Sequence, residues 1–135
     1  LALSQSNDNP VYYIQYAHAR VCSIMRKLAE QGETWTVDSG LGSLDQLGEE
    51  HEKALLRRLD QFPEVVASAA AASEPHTVAN YLRELAGEFH AWYNAHKTLV
   101  DDKPLRDARL ALSEAVRQTI QNGIQLLGVS APESM

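Results

Sequence analysis

Two rows of residues run side by side along the first amphipathic segment of the chain, and one of them carries rings and positive charges. The inner row is apolar and consists of Ile14, Ala17, Val21, Ile24 and Leu28. The second row lies one position earlier and consists of Tyr13, Tyr16, Arg20, Ser23 and Lys27. Because one residue rotates a helix by about 100°, the second row flanks the buried seam and is expected to be partly exposed.

Aromatic rings that lie one helical turn before positively charged side chains are well placed to bind an unpaired RNA loop. Splayed bases stack on aromatic faces, and Arg and Lys neutralise the neighbouring phosphates. The alternative is a packing boundary at which Arg20 and Lys27 extend their stems over apolar surface. The residues alone leave both interpretations open.

Other pairs of reactive side chains are weaker candidates. His18 and Cys22 are four residues apart, a feasible spacing for two metal ligands, but a structural zinc needs four ligands and the chain has one cysteine. We therefore predict that both pack beside the core, with a local hydrogen bond from His18. His90 and His96 point about 120° apart around a helix, which favours an aromatic surface or a packing role over a catalytic pair.

Further motif searches give no catalytic set. Glu84 and Glu88 do not begin the Glu-x-x-His pattern of a di-iron bundle and are interpreted as a solvated face. The sequence contains no phosphate-binding loop of the Gly-x-x-x-x-Gly-Lys type and no Gly-x-Ser-x-Gly elbow. A small stand-alone enzyme is therefore disfavoured.

The elements that must position these residues are helices, since apolar residues recur at three- and four-residue spacing and no alternation of period two is sustained. We predict an all-α bundle of about five helices. Helix starts are expected near Asn9-Pro10, Gly48, Pro63, Pro75 and Pro104, and helix stops at Gly32 and Gly128. The predicted inward-facing residues of the later helices are Leu55, Leu56 and Leu59; Val78, Leu82, Leu85, Phe89 and Trp92; and Leu105, Ala108, Leu112, Val116, Ile120 and Leu127.

The segment 32–47 is predicted to be a mobile surface loop, because it is rich in Gly, Ser and Asp. The stretch 32–52 holds six acids (Glu33, Asp38, Asp45, Glu49, Glu50 and Glu52) and no Lys or Arg. Much of the net charge of −6 therefore lies in one stretch, which leaves room for a local basic face elsewhere. Trp35 is expected to cover the edge of the core or to touch another domain.

Length and composition indicate one globular domain, residues 1–135. A chain of 135 residues with 44% hydrophobic and 22% charged residues can bury a single core. The lone Cys22 and the lack of a long apolar run predict a cytoplasmic protein that does not span a membrane. The start Leu1-Ala2-Leu3, without Met or a basic leader, predicts that the chain continues upstream.

Several strings resemble the anticodon-binding domain of bacterial arginyl-tRNA synthetases. The segment from Asn9 to Arg20, NPVYYIQYAHAR, is similar to the opening of that domain, and the end LLGVSAPESM is similar to its usual terminus LLGVSAPERM. Between them, FPEVV, PHTVANYL and FHAWY resemble the middle helices, and Asp107-Ala108-Arg109-Leu110 falls where the family has an Asp-Ala-Leu-Arg type sequence. Two departures are Ser134 in place of an Arg and the position of Arg109, one place early.

The resemblance implies the fold of a class I synthetase anticodon-binding domain, at the C-terminal end of a longer chain that joins arginine to tRNA using ATP and Mg²⁺. The expected partners are the tRNA anticodon loop and a catalytic domain of the same polypeptide, in a monomeric enzyme. The residues it nominates for tRNA contact are Tyr13 and Tyr16 for stacking or ribose, Arg20 and Lys27 for phosphates, and Met135 for an apolar or terminal-carboxylate contact with a base. The HIGH-like and KMSKS-like signatures are not in this sequence, so no catalytic residue, metal or cofactor is expected here.

A competing function is a protein-interaction bundle, in which the Tyr13 and Tyr16 row docks another protein. RNA binding that is indifferent to Tyr16→Ala and Arg20→Ala would favour it.

Overall fold

The structure is a computed structural model that describes residues 10–128, and within that range it contains helices and turns but no strand. The helices are α1 (Pro10–Glu30), α2 (Val37–Leu41), α3 (Glu50–Asp60), α4 (Phe62–Ala72), α5 (Pro75–Ala95) and α6 (Lys103–Leu126), with a 3₁₀ turn at Leu44–Gln46. The all-α class and the five predicted helices are confirmed. The short helix α2 is additional.

Two helices end in the same hydrogen-bonded motif. After α1, Gly32 has a φ of 75°, and the Glu33 amide donates to the Leu28 carbonyl at 3.2 Å. Only a residue that tolerates the left-handed region closes this turn cheaply, so the predicted stop at Gly32 is confirmed. Ser73 takes the same conformation after α4, with a φ of 55°.

The core lies where α5 contacts α1, α3, α4 and α6. The predicted seams of α1 and α5 are buried throughout, and Trp92 and Phe89 have no exposed surface. Gly123 lets α6 approach α5 closely, since a Cβ there would lie 2.7 Å from the Leu82 methyl groups. The prediction that Leu56 faces inward is wrong: Leu56 is 39% exposed, because α3 turns Leu55 toward the core and Leu56 lies about 100° away.

The interpretation of residues 32–47 as a surface loop is wrong in part, since α2 and the 3₁₀ turn lie within it and pack on α6. Thr36 and Ser39 form a reciprocal cap that starts α2. The Trp35 Nε1 atom donates to the Asp107 carbonyl at 3.0 Å, and the buried Gly40 lies against α6. Trp35 therefore covers the edge of the core, one of its two predicted roles.

The acidic pair on α5 is not simply a solvated face. Arg58 on α3 donates from Nε to Glu88 at 2.6 Å and lies 3.9 Å from Glu84. The carboxylate of Glu88 accepts this hydrogen bond and raises the pKa of Arg58. The pair therefore links α5 to α3. No helix within residues 10–128 combines the length and the apolarity needed to cross a membrane.

Candidate nucleic-acid interface

The second row of α1 lies at the border between core and solvent, as its position beside the seam predicts. Tyr13, Tyr16, Arg20 and Ser23 are half-buried, and Lys27 is exposed. The inner row is sealed by α5 and α6, so the border row faces the edge of the α1 and α5 pair. The structure therefore leaves rings and charge accessible along this edge.

His90 on α5 is buried beneath this row and fixes it. Its ring centroid lies 4.6 Å from that of Tyr13 and 5.3 Å from that of Tyr16. Arg20 Nη1 donates to His90 Nδ1 at 3.0 Å, which leaves Nε2 to donate to the Tyr13 carbonyl at 3.3 Å. Burial, together with a smaller contribution from the nearby Arg20 charge, lowers the pKa of His90 to about 4, so the ring is neutral at pH 7.

Arg20 lies between two tyrosine rings from different helices. Its guanidinium carbon is 4.5 Å from the Tyr16 centroid and 4.3 Å from the Tyr93 centroid, both within cation–π range. Tyr12 extends the arrangement, with its ring stacked on Tyr16 at 6.1 Å. We name Tyr12, Tyr16, Arg20 and Tyr93 the aromatic stack. Because His90 is neutral, the positive charge of the aromatic stack comes from Arg20.

A groove of about 340 Å³ continues from the stack along the end of α1. Tyr93 belongs to both, and Lys27 of α1 and Lys97 of the connection after α5 both line the groove. The full lining is Ile24, Lys27, Gln31, Tyr93, His96, Lys97, Thr98 and Leu99. Among residues 10–128, neither lysine has an acidic partner within 4.0 Å. We name this the lysine groove, and its two ammonium groups are available to an anion.

The sequence predicts the α1 side of this candidate surface but not the α5 side. Tyr93, His90 and Lys97 come from α5 and the connection after it, and their meeting with α1 depends on how the two helices pack. Tyr12 could have been found from the sequence, since it precedes Tyr13 and lies four residues before Tyr16 on one helix. Met135 lies outside the described residues.

His96 lines the lysine groove, but the histidines of the described residues do not gather into a metal site there. His90 and His96 are in separate environments, as their spacing predicts, and His96 instead contacts His51 at 3.1 Å. His18 is buried, with its Nδ1 atom 3.9 Å from Cys22 Sγ, in agreement with the packing interpretation. Across the described part of the chain, no three His, Cys, Asp or Glu side chains are placed to hold a metal ion.

Comparison with known proteins gives a consistent family. The family described as the DALR anticodon binding domain matches residues 14–135. Arginine–tRNA ligases from Thioalkalivibrio sulfidiphilus and Legionella pneumophila (strain Corby) are 58% and 56% identical over all 135 residues of this chain. The chain spans 23% of the length of each of these relatives.

Solved structures are similar over most of the fold. A structure described as an arginyl-tRNA synthetase of Campylobacter jejuni superposes with a TM-score of 0.82 at 28% identity, over 98% of this chain and 28% of that one. The Thermus thermophilus arginyl-tRNA synthetase superposes with a TM-score of 0.75 at 37% identity, over 91% of this chain and 21% of that one. By its sequence and its fold, the chain belongs to the DALR anticodon-binding domain family, in the form found in arginine–tRNA ligases.

Proposed function

We propose that this chain binds the anticodon loop of an arginine tRNA, and that the aromatic stack and the lysine groove are the surface that takes its unpaired nucleotides. The observation that carries the proposal is the continuity of the two features through Tyr93, which belongs to both. Membership of an anticodon-binding family supplies the class of ligand.

The aromatic stack suits bases that have left a helical stack. A base added to a half-exposed tyrosine face gains roughly 1 to 3 kcal/mol and needs no particular sequence. Tyr16 and Tyr93 are held by Arg20 between them, so little ordering remains to be done when a base arrives. Tyr13 is packed against His90, which suits it for supporting Tyr16 and for contacting a ribose at its edge.

The lysine groove suits the phosphates that join those bases. Lys27 and Lys97 are exposed, and a lysine that neutralises a phosphate releases a counterion and makes binding salt-dependent. Arg20 adds a positive charge at the end of the groove nearest to Tyr93. We assign phosphate contacts to Arg20, Lys27 and Lys97.

The rest of the reaction belongs to parts of the polypeptide outside this chain. The relatives are about four times longer, so we assign the joining of arginine to tRNA, with ATP and Mg²⁺, to a catalytic domain upstream of residues 1–135. In this proposal residues 1–135 are one C-terminal domain of a monomeric, cytoplasmic enzyme. Met135 is assigned an apolar contact with a base.

The proposal is tested by binding of an RNA hairpin that carries the anticodon arm of an arginine tRNA. Tyr16→Ala should raise the Kd roughly 5- to 150-fold, the equivalent of one lost stacking interaction. Arg20→Ala and Lys27→Ala should weaken binding and flatten its dependence on salt, because fewer counterions are released. Fluorescence anisotropy at several salt concentrations measures both quantities.

Arg57→Ala is the matched control for the arginine and lysine variants. Arg57 is exposed on α3 and belongs neither to the aromatic stack nor to the lining of the lysine groove, so its loss should leave the Kd unchanged. Equal affinities of wild type, Tyr16→Ala and Arg20→Ala for the hairpin would contradict the proposal and favour a protein-docking role for this edge.

A further inference from the structure

A buried ion pair joins α3 to α6 close to the lysine groove. Glu52 is 0% exposed, and its Oε2 atom accepts from Arg109 Nε at 2.7 Å. The same carboxylate accepts from Trp92 Nε1 at 3.1 Å and from the Glu49 amide at 3.1 Å. A buried carboxylate is costly unless such partners surround it, so this network fixes the orientation of the Arg109 guanidinium.

Arg109 has a second contact that the ion pair does not require. Its Nη1 atom donates to the main-chain carbonyl of Lys97 at 2.8 Å. Helix α5 ends at Ala95, so Lys97 lies in the connection to α6 and its backbone position is not set by helical hydrogen bonds. One planar side chain therefore links this connection to a buried carboxylate that Trp92 and the Glu49 amide also hold.

We infer that Arg109 is a positioning residue for nucleic-acid binding: it holds the Lys97 backbone so that Lys97 lines the lysine groove together with Lys27. The inference rests on the proposed function. Its physical basis is that a lysine on a free connection must be ordered when RNA binds, whereas a held one has lost that freedom already. The contacts with Glu52 and Trp92 supply the fixed point.

Arg109→Lys separates the two contacts. An ammonium is a point charge, whereas a guanidinium presents donors in a planar fork, so a lysine that neutralises Glu52 cannot also reach the Lys97 carbonyl. We expect a rise of roughly 3- to 10-fold in the Kd for the anticodon-arm hairpin and a salt slope reduced by about 0.7, the value for one phosphate contact on a single strand.

A double-mutant cycle with Lys97→Ala distinguishes positioning from general support of the fold. If Arg109 acts through Lys97, Arg109→Lys should have little further effect on the Kd once Lys97 is alanine. The inference would be overturned if the Kd increases of the two single variants multiplied in the double variant. An unchanged Kd in Arg109→Lys would also overturn it. Arg58→Lys is the control, because it makes the same change in the Glu88 pair away from the groove.

If Arg109→Lys does not fold, the pair Glu52→Gln with Arg109→Met removes the contact to Lys97 without leaving a buried charge, and the same cycle is run on it.

Failure of the inference is distinguishable from failure of the proposed function. A wild-type chain that does not bind the hairpin contradicts the function, whereas tight binding that depends on Tyr16 and Lys97 but not on Arg109 contradicts the inference alone.

Discussion

At the scale of single residues, His90 holds the candidate surface together only while it is neutral. Its Nδ1 atom accepts from Arg20, and a proton on that atom would set two cations against each other. Burial already opposes the charge and lowers the pKa to about 4, below the ordinary value of 6.5. The contact between Arg20 and His90 therefore depends on a buried, uncharged imidazole.

This predicts a loss of stability in acid that can be traced to His90. The unfolded chain takes up a proton near pH 6.5 and the folded chain only near pH 4, so His90 costs no stability above 6.5 and an increasing amount as pH falls toward 4. The loss reaches at most about 3 kcal/mol. We expect the Tm of wild type to fall more than that of His90→Gln between about pH 7 and pH 4.5.

Thermal unfolding followed by circular dichroism measures the difference. His76→Gln is the matched control, because His76 is exposed near the start of α5, and its removal should not change the acid sensitivity. Parallel losses of Tm in wild type and His90→Gln would show that other groups account for the acid dependence.

At the scale of elements, the sequence predicts buried residues best in helices whose apolar residues follow a single helical repeat. The inner row of α1 and the seam of α5 follow the helical repeat without interruption, and every residue predicted from them is buried. The prediction for Leu56 is wrong because the three leucines of α3 occupy two adjacent stripes of the helix surface. Which stripe is buried depends on how α3 packs on α5. The candidate surface is predictable only in part for the same reason. The positions of Tyr16 and Arg20 follow from the pattern of α1 alone, whereas those of Tyr93 and Lys97 depend on how α5 packs against α1.

Segment 32–47 shows how a composition typical of loops can form a packed element. Its glycines and serines have a high propensity for loops. Gly40 is nevertheless buried, because α2 packs very close to the backbone of α6. A Cβ at this position would be 2.6 Å from the Ala111 Cβ and 2.9 Å from the Asp107 carbonyl. The small residue is therefore needed for the packing of α2, which periodicity does not reveal.

Gly40→Ala should accordingly displace α2 and weaken the hydrogen bond from Trp35 to Asp107. We expect a loss of about 1 to 3 kcal/mol in the free energy of unfolding from overpacking, offset in part by the roughly 1 kcal/mol by which Ala favours a helix over Gly. Denaturant unfolding gives the free energy, and tryptophan fluorescence reports on Trp35. Gly42→Ala is the control, since a Cβ there meets only the Asp38 and Ser39 carbonyls at 3.4 and 3.8 Å. A larger loss for Gly42→Ala than for Gly40→Ala would contradict this account of α2.

At the scale of the whole molecule, the charge distribution opposes the proposed ligand from a distance while favouring it in contact. The net charge is −6, and the acidic stretch begins directly after Gln31, which lines the lysine groove. Approaching RNA therefore meets a repulsive field before it meets Lys27 and Lys97. The field decays with a Debye length of about 10 Å at 0.1 M salt, so it acts mainly on the rate of encounter.

Neutralising exposed acids of that stretch should therefore speed association without altering the contacts. For Asp38→Asn combined with Asp45→Asn, we expect a few-fold higher association rate with the anticodon-arm hairpin at low salt, an advantage that disappears at high salt, and an unchanged dissociation rate. Stopped-flow measurements at two salt concentrations separate these rates. Asp60→Asn combined with Glu64→Gln makes the same change in net charge at the end of α3 and the start of α4, at residues that do not line the groove, and should have a smaller effect. If both pairs raise the rate equally, the field depends on total charge alone and the position of the acidic stretch is irrelevant to RNA approach.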